Sequence, residues 1–149
     1  HLSTTAKVNH PFEYFHDKIG YNYRMPALNA ALGISQLKKL AKLLKRKKIL
    51  RDTYIKNFKN VKGLKFFEGP SECKPNFWLN SVVLNKKFFP YQNFIIQELI
   101  NKGFGCRPIW KLLNQLPPYT NNPSMNLDNA KTLQKSFITL PSSSYLGKK

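Results

Sequence analysis

The sequence predicts an α/β protein in which one long helix is followed by a small mixed sheet with helices of its own. Leucine and aromatic residues recur at helical spacing from Leu28 to Phe58. After Gly63 the pattern changes to a strand, a second strand, a helix and a third strand. The chain has 149 residues, of which 42% are hydrophobic, and this is enough for a packed core.

The segment before the helix is predicted to be extended, with a short strand near Phe12–Phe15. It contains all three histidines of the chain, which are His1, His10 and His16. No two of them are three or four residues apart, so the spacing does not predict a metal site on one helix. His16 followed by Asp17 forms either an acid–base pair or a loop contact, and a loop contact is the commoner outcome. The segment has no initiator methionine and no signal-peptide pattern, so we expect the chain to be part of a longer protein.

A polar and aromatic loop leads into the long helix. It carries two phenols, an amide and a guanidinium, which belong to Tyr21, Tyr23, Asn22 and Arg24. Pro26 suits the first position of a helix, and a proline keeps the preceding residue, Met25, out of the helical conformation. Such a loop at the mouth of a helix is typical of a ligand-facing element, although a polar helix entry without a ligand has the same composition.

The long helix is predicted over residues 26–62, with Gly63 ending it. One face of the helix is apolar. The residues between the apolar positions form a basic outer face: Lys38, Lys39, Lys42, Lys45, Arg46, Lys47, Lys48 and Arg51. The formal net charge of the chain is +18, which favours polyanionic ligands. Because the lysines are dispersed along the chain, we interpret this face as solvated. A basic module that binds nucleic acid or another polyanion is the alternative function.

Residues 63–149 are predicted to form a small α/β domain. The predicted strands are Leu64–Glu68, Phe77–Leu84, Phe104–Arg107 and Phe137–Leu140, and the predicted helices are Tyr91–Lys102 and Leu127–Lys135. In the first of these helices we expect Phe94, Ile95, Ile96 and Leu99 to point inward. Gly103 is expected to end it. Asn126 or Asp128 is the expected cap of the second.

One strand end in this domain carries candidate binding residues. Arg107 could grip a carboxylate or a phosphate with two parallel hydrogen bonds, and Trp110 offers a flat apolar face. A surface arginine and a core tryptophan are the alternative. The two cysteines, Cys73 and Cys106, have no metal-type spacing and are predicted to be reduced thiols. No glycine-rich phosphate loop, zinc motif or nucleophile elbow occurs, so the chain does not contain a complete active site.

Several motifs of the chain match a known pattern. They are Gly20-Tyr21-Asn22-Tyr23-Arg24-Met25-Pro26, Asn29-Ala30-Ala31-Leu32-Gly33, Gln36-Leu37, and the stretches His1–Lys7, Cys106–Leu113 and Leu140–Ser143. Together they resemble the DegT/DnrJ/EryC1/StrS family of sugar-nucleotide aminotransferases, which use pyridoxal phosphate (PLP). The last three stretches are similar to the branch that acts on 4-keto-6-deoxy amino sugars of the legionaminic-acid or bacillosamine kind.

This resemblance covers nearly the whole chain and implies the aspartate-aminotransferase fold, that is, fold type I. It implies that residues 1–25 end the large PLP domain and form an active-site loop. Residues 26–62 are then the connecting helix and residues 63–149 the small C-terminal domain. The Schiff-base lysine of the family lies upstream, so the resemblance implies no catalytic residue in these 149 residues. Lys7 lacks the surrounding motif of that lysine.

The resemblance also implies roles for individual residues. Asn22 matches an asparagine that bonds the PLP phosphate in the neighbouring subunit. Arg24 matches an arginine close to the same shared site that faces the substrate or the amino donor, and Tyr21 and Tyr23 flank these residues and are expected to line the site. Arg107 and Trp110 match the small-domain edge of the sugar pocket, and His16 is a weaker candidate.

The implied reaction is a transamination in two halves. Glutamate gives its amino group to PLP, which passes it to a keto sugar attached to a nucleoside diphosphate. The resemblance implies a homodimer with a shared active site and no nucleic-acid partner. The sparse cysteines and the lack of a secretory signal predict a cytoplasmic location. The sequence has no run of eighteen apolar residues and no metal-type spacing, so we expect no membrane partner and no metal.

Overall fold

The computed structural model describes residues 1–148. The chain forms two compact units, one of residues 1–41 and one that starts at residue 42, so the boundary falls inside the long helix. The described residues form three α-helices, six strands and four short 3-10 helices, which is the α/β class predicted from the sequence. None of the helices within residues 1–148 combines the length and apolar character needed to cross a membrane.

A pair of very short strands organises the first unit. Strand β1, Lys7–Val8, pairs antiparallel with strand β2, Phe15–His16. The strand predicted near Phe12–Phe15 therefore starts only at its last residue. Beside this pair, Ala6 is fully buried.

Helix α1, Ala27–Phe58, begins one residue later than predicted. The N–H of Ala30 donates to the carbonyl of Pro26 at 3.0 Å, so Pro26 stands just before the helix. The residue just before a helix contributes its carbonyl, but not its N–H, to the hydrogen bonds of the helix. Proline therefore loses no hydrogen bond at this position. The proline therefore fits the start of the helix, one position outside it.

The end of α1 also differs from the prediction. The helix ends at Phe58, and a turn follows in which the N–H of Val61 donates to the Phe58 carbonyl at 3.1 Å. Gly63 lies beyond this turn and is not the residue that ends the helix. The prediction of a helix to residue 62 was therefore wrong by one turn.

The apolar face of α1 behaves differently in its two halves. In the second unit, Leu50 is buried, and Tyr54 and Phe58 pack against the core. In the first unit the leucines of the helix are exposed: Leu28, Leu32, Leu37 and Leu40. Within residues 1–148, the apolar face of α1 is therefore packed against other residues only in the second half of the helix.

The sheet of the second unit has four strands in the order β3-β4-β6-β5. These are β3 Leu64–Phe66, β4 Asn80–Leu84, β5 Arg107–Pro108 and β6 Phe137–Leu140. Each of the three strand pairs is antiparallel, so the sheet is not mixed as predicted. Strand β6 has the predicted bounds, whereas β3 and β4 are shorter than predicted. Strand β5 begins only at the last residue of the predicted strand, Arg107, and ends one residue beyond it.

The hydrophobic core of the second unit lies on one side of this sheet. Along β4 every second residue is buried, as the two-residue period of a strand requires. The buried apolar side chains are Val82, Leu84, Ile96, Cys106, Ile138 and Leu140. Aromatic and aliphatic residues from the helices and from β3 surround them: Tyr54, Phe58, Leu64, Phe66, Phe88, Phe89, Ile95 and Leu99.

Helix α2, Gln92–Asn101, covers part of this core. Its buried residues are Gln92 and Ile96, which are four apart and share one face. Phe94 falls between them on the other face and is 65% exposed, so its predicted inward position was wrong. Gln92 donates through its amide to the carbonyls of Gln134 and Phe137, and these bonds explain a polar residue in a core position.

The end of α2 is the one predicted. Gly103 has φ +85°, in the left-handed region that glycine adopts readily. Its N–H donates to Ile100 at 2.8 Å, and the N–H of Phe104 donates to Leu99 at 2.9 Å. This pair of bonds is the Schellman motif.

Helix α3, Asp128–Ser136, leads directly into β6. Before it, the side-chain oxygen of Asn126 accepts the N–H of Asp128 at 2.8 Å. The N-cap position itself is Leu127, so neither predicted candidate occupies it, and Asn126 bonds the start of the helix from one residue earlier.

Candidate functional site

The loop of residues 20–24, which we call the entry loop, is pinned through its backbone. Three consecutive N–H groups, those of Tyr21, Asn22 and Tyr23, donate to carbonyls of the segment Leu2–Thr4 at 2.7 to 2.9 Å. At Gly20 a side chain is excluded, because an added Cβ would lie 2.6 Å from the Cα of Thr5. The backbone of the loop is thus held by main-chain hydrogen bonds.

Asn22 occupies an uncommon backbone conformation in this loop. Its φ is +52°, in the left-handed region that asparagine tolerates better than most residues. Its N–H donates a hydrogen bond to the carbonyl of Thr4, while its side chain is exposed. Such conformations persist where neighbouring bonds hold them, and they are concentrated at ligand sites.

The other predicted residues of the entry loop are also exposed. The rings of Tyr21 and Tyr23 stack on each other, with centroids 5.9 Å apart and planes 12° from parallel. They remain 61% and 78% exposed. The side chain of Arg24 is exposed as well. The loop therefore presents two phenols, an amide and a guanidinium from a fixed backbone.

His16 lies in the first unit but has a structural contact. A nitrogen of its ring, Nδ1, donates to the carbonyl of Thr5 at 2.7 Å. Asp17 does not pair with it, because its carboxylate lies 2.7 Å from the ring of His1. His16 and Asp17 therefore make loop contacts and do not form an acid–base pair with each other.

A cleft of about 580 Å³ in the second unit contains both predicted residues of that unit, Arg107 and Trp110. A third residue, Trp78, lies opposite Trp110, with ring centroids 6.0 Å apart and planes tilted by 40°. The two indoles are 63% and 69% exposed, so the alternative of a core tryptophan at Trp110 is wrong. We call this site the tryptophan cleft.

Sequence reasoning missed Trp78 because it placed the residue inside a strand. The chain is not extended there, since Phe77 has φ +54° and β4 begins only at Asn80. The side chain of Asn76 accepts the N–H of Trp78 at 3.0 Å and closes a turn. Pro75 and Asn76 are both residue types that favour turns, and they could have moved the predicted start of the strand.

Lys47 supports one wall of the tryptophan cleft. Its ammonium donates to the carbonyls of Phe77, Trp78 and Ser142 at 3.0, 3.1 and 2.7 Å. Desolvation lowers the pKa of Lys47 from its usual value. The prediction that Lys47 belongs to a solvated basic face was therefore wrong, because a three-carbonyl site holds it.

Two further titratable groups lie under the cleft. The hydroxyl of Tyr54 donates to the carbonyl of Pro141 at 2.9 Å. Burial raises the pKa of Tyr54, and the nearby Cys106 raises it further. Burial also raises the pKa of the Cys106 thiol. Cys73 and Cys106 are both free, as predicted, and no cluster of three metal-ligating side chains occurs within residues 1–148.

The structure therefore groups the predicted residues in two places. Tyr21, Asn22, Tyr23 and Arg24 share the entry loop of the first unit. Arg107 and Trp110 share the tryptophan cleft of the second unit. Each group exposes charged or amide donors beside aromatic rings, a combination suited to ligands that carry both an anionic group and a planar ring.

A long helix leading into a small sheet with its own helices is an arrangement found in fold type I PLP aminotransferases. The solved structure of PseC from Helicobacter pylori, an aminotransferase involved in the biosynthesis of pseudoaminic acid, matches the fold with a TM-score of 0.84. The match is at 24% identity and covers 96% of this chain and 39% of that chain. The predicted fold class is confirmed by this match.

The DegT/DnrJ/EryC1/StrS aminotransferase family matches residues 2–149, and the chain belongs to this family. EpsN of Bacillus subtilis (strain 168), described as a pyridoxal phosphate-dependent aminotransferase, is 29% identical over 137 residues, which are 88% of this chain and 34% of that protein. GDP-perosamine synthase of Vibrio cholerae is 28% identical over 106 residues, 71% of this chain and 29% of that protein. The chain spans about a third of the length of the curated relatives it matches. The predicted family is confirmed.

Proposed function

We propose that this chain is the C-terminal part of a PLP-dependent aminotransferase. The enzyme moves an amino group from glutamate to a nucleotide-linked 4-keto-6-deoxy sugar, in the synthesis of a surface polysaccharide or another glycan. Membership of the family supports the reaction class. The structure of the entry loop supports roles for particular residues, because its backbone is held by hydrogen bonds while the side chains of Asn22 and Arg24 are exposed.

Asn22 fits the role of a phosphate ligand. Because its backbone N–H is already bonded to Thr4, the side-chain amide is the donor that remains for an anionic oxygen. The neighbouring hydrogen bonds hold it at φ +52°, so little freedom is lost when a ligand binds. When bound, PLP supplies the electron sink that the transfer of an amino group requires. Its Schiff-base lysine comes from outside these 149 residues.

Arg24 and the two tyrosines complete this side of the site. A guanidinium binds a carboxylate or a phosphate with two parallel hydrogen bonds, so Arg24 fits the anionic groups of glutamate or of the nucleotide sugar. Tyr21 and Tyr23 offer rings and hydroxyls beside it. We place the entry loop in the active site of the second subunit of a homodimer.

The tryptophan cleft fits the nucleotide-sugar substrate. Trp78 and Trp110 offer apolar ring faces, which suit a sugar ring or a base, and Arg107 offers a cation for the diphosphate. We place the enzyme in the cytoplasm, and the free state of both cysteines agrees with a reducing compartment.

The test uses the intact enzyme that contains these residues, with Asn22→Ala, Arg24→Ala and the exposed loop control Asn121→Ala. Two quantities are measured: the PLP retained after dialysis, and the rate at which 2-oxoglutarate forms from glutamate with whichever UDP-, GDP- or dTDP-linked 4-keto-6-deoxy sugar the wild type accepts. Asn22→Ala should lose PLP, Arg24→Ala should raise KM, and Asn121→Ala should match the wild type. Wild-type PLP retention and rates in both loop variants would contradict the proposal.

A further inference from the structure

We propose that Lys47 is a positioning residue of the tryptophan cleft. Its ammonium fixes the backbone that carries Trp78, so that the indole stays where a planar group of the ligand can stack on it. The identity of that ligand, a nucleotide-linked sugar, rests on the function proposed above.

The contacts of Lys47 use its full donor capacity. An ammonium has three N–H donors and no acceptor, and three carbonyls accept from it here. Two of them, the carbonyls of Phe77 and Trp78, lie on the two sides of the Trp78 Cα, and the third belongs to Ser142. Trp78 and Ser142 both line the cleft, so a single side chain from α1 holds two parts of its wall.

The segment that Lys47 holds would not keep its shape unaided. Phe77 has φ +54°, and an aromatic residue in the left-handed region is strained. The Asn76 side chain accepts the N–H of Trp78, and the guanidinium of Arg51 lies 5.5 Å from the ring centroid of Phe77. Neither contact involves the backbone carbonyls of Phe77 and Trp78. Lys47 binds both.

The strand next to this segment has its own anchor. The backbone N–H of Asn80 donates to the Ser142 hydroxyl at 2.8 Å, and that hydroxyl donates to the Leu140 carbonyl at 2.8 Å. Removing the ammonium should therefore release Phe77 and Trp78 while β4 stays in the sheet. The expected consequence is local, and it concerns the cleft more than the core.

The first experiment observes Trp78 directly. It uses the intact enzyme. These 149 residues contain two tryptophans, so Trp110→Phe leaves Trp78 as their single indole, and any tryptophan elsewhere in the enzyme is also replaced by phenylalanine so that only Trp78 is observed. In this background, acrylamide quenching and fluorescence anisotropy are compared for Lys47→Met and for the matched control Lys45→Met, which removes an exposed charge from the same helix. We expect Lys47→Met to lower the anisotropy and to increase quenching, and Lys45→Met to change neither. If Lys47→Met does not fold, Lys47→Gln takes its place.

The second experiment measures ligand binding in the intact enzyme with both tryptophans present. The dissociation constants of UDP, GDP and dTDP are determined for the wild type, Lys47→Met and Lys45→Met. For the nucleotide that the wild type binds, Lys47→Met should bind about tenfold more weakly, the scale of losing one stacked ring. Unchanged quenching of Trp78, or unchanged affinity for a nucleotide that the wild type binds, would overturn the proposal, even if the melting temperature falls.

The two experiments separate this inference from the function on which it rests. Wild-type enzyme that binds none of the three nucleotides would overturn the assignment of the cleft to a nucleotide sugar. The quenching of Trp78 would still decide whether Lys47 holds that residue. Binding by the wild type that Lys47→Met leaves intact would overturn the role of Lys47 alone.

Discussion

The hydroxyl of Tyr54, on the long helix, donates a hydrogen bond to the carbonyl of Pro141, which follows the last strand, at 2.9 Å. Residues 87 positions apart in the chain are joined by this bond. It ties α1 to the turn that borders the tryptophan cleft, next to the buried thiol of Cys106. The bond therefore links the stability of the second unit to the geometry of its cleft.

The ionisation of Tyr54 predicts a loss of stability in alkali. Desolvation, and then the charge of Cys106, raise the pKa of Tyr54 above its usual 10.0 in the folded chain. The unfolded chain therefore loses this proton first. The stabilisation is complete below pH 10 and is lost as the pH rises through the folded pKa. Urea unfolding between pH 8 and pH 11 should show this fall.

The variant Tyr54→Phe should show how much of the alkaline loss of stability comes from Tyr54 rather than from the other tyrosines. Loss of one hydrogen bond should lower the free energy of unfolding by about 1 kcal/mol at neutral pH. The alkaline fall should then become shallower than in the wild type. Tyr145→Phe, at an exposed tyrosine, is the control and should leave the profile unchanged. An identical alkaline profile for Tyr54→Phe would show that this residue does not carry the effect.

The two cysteines should differ in their reaction with thiol reagents. Cys73 is exposed, whereas Cys106 is 2% exposed and burial raises its pKa. Since the thiolate is the reactive form, Cys106 should react slowly until the chain unfolds. Ellman's reagent at pH 8 should titrate one thiol in the native chain and two in denaturant. Cys73→Ser should remove the native signal, and rapid reaction of two native thiols would contradict the buried position of Cys106.

Alanine at Gly20 should disrupt the entry loop. The added Cβ would lie 2.6 Å from the Cα of Thr5, which is backbone and cannot turn away. We expect a loss of about 1–3 kcal/mol in local stability. Hydrogen exchange should then show faster exchange of the amides of Tyr21, Asn22 and Tyr23.

Gly33→Ala is the matched control for that substitution. Gly33 lies inside α1 and an added Cβ meets nothing within 4 Å. Alanine is favoured over glycine in a helix by about 1 kcal/mol, so this variant should keep or gain stability. Slow exchange of the loop amides in both variants would mean that Gly20 is not a point of close approach.

The positive charge of the chain leaves one alternative function to be tested. If the charge is only a solvated surface, binding to duplex DNA at low salt should disappear at moderate ionic strength, because binding through phosphates weakens steeply with salt. A salt titration of fluorescence anisotropy with labelled DNA measures this. Retention near physiological salt would support the basic module instead.

Local sequence signals were sufficient where neighbours in the chain decide the structure. Strand β6 and the Gly103 stop were predicted because strand alternation and the left-handed preference of glycine act within a few residues. The motifs around Asn22 and Arg107 were sufficient to predict the family for the same reason, since each is a continuous stretch.

The tertiary structure decided what depends on residues far apart in the chain. In the sequence, Lys47 is indistinguishable from the other cations of the basic face. Only the tertiary structure shows that the carbonyls of Phe77, Trp78 and Ser142 accept hydrogen bonds from it. Trp78 faces Trp110 because a strained turn, rather than a strand, precedes β4. A periodic pattern shows which side of an element is apolar. Which charged group is desolvated, and which rings share a cleft, depends on packing between distant segments.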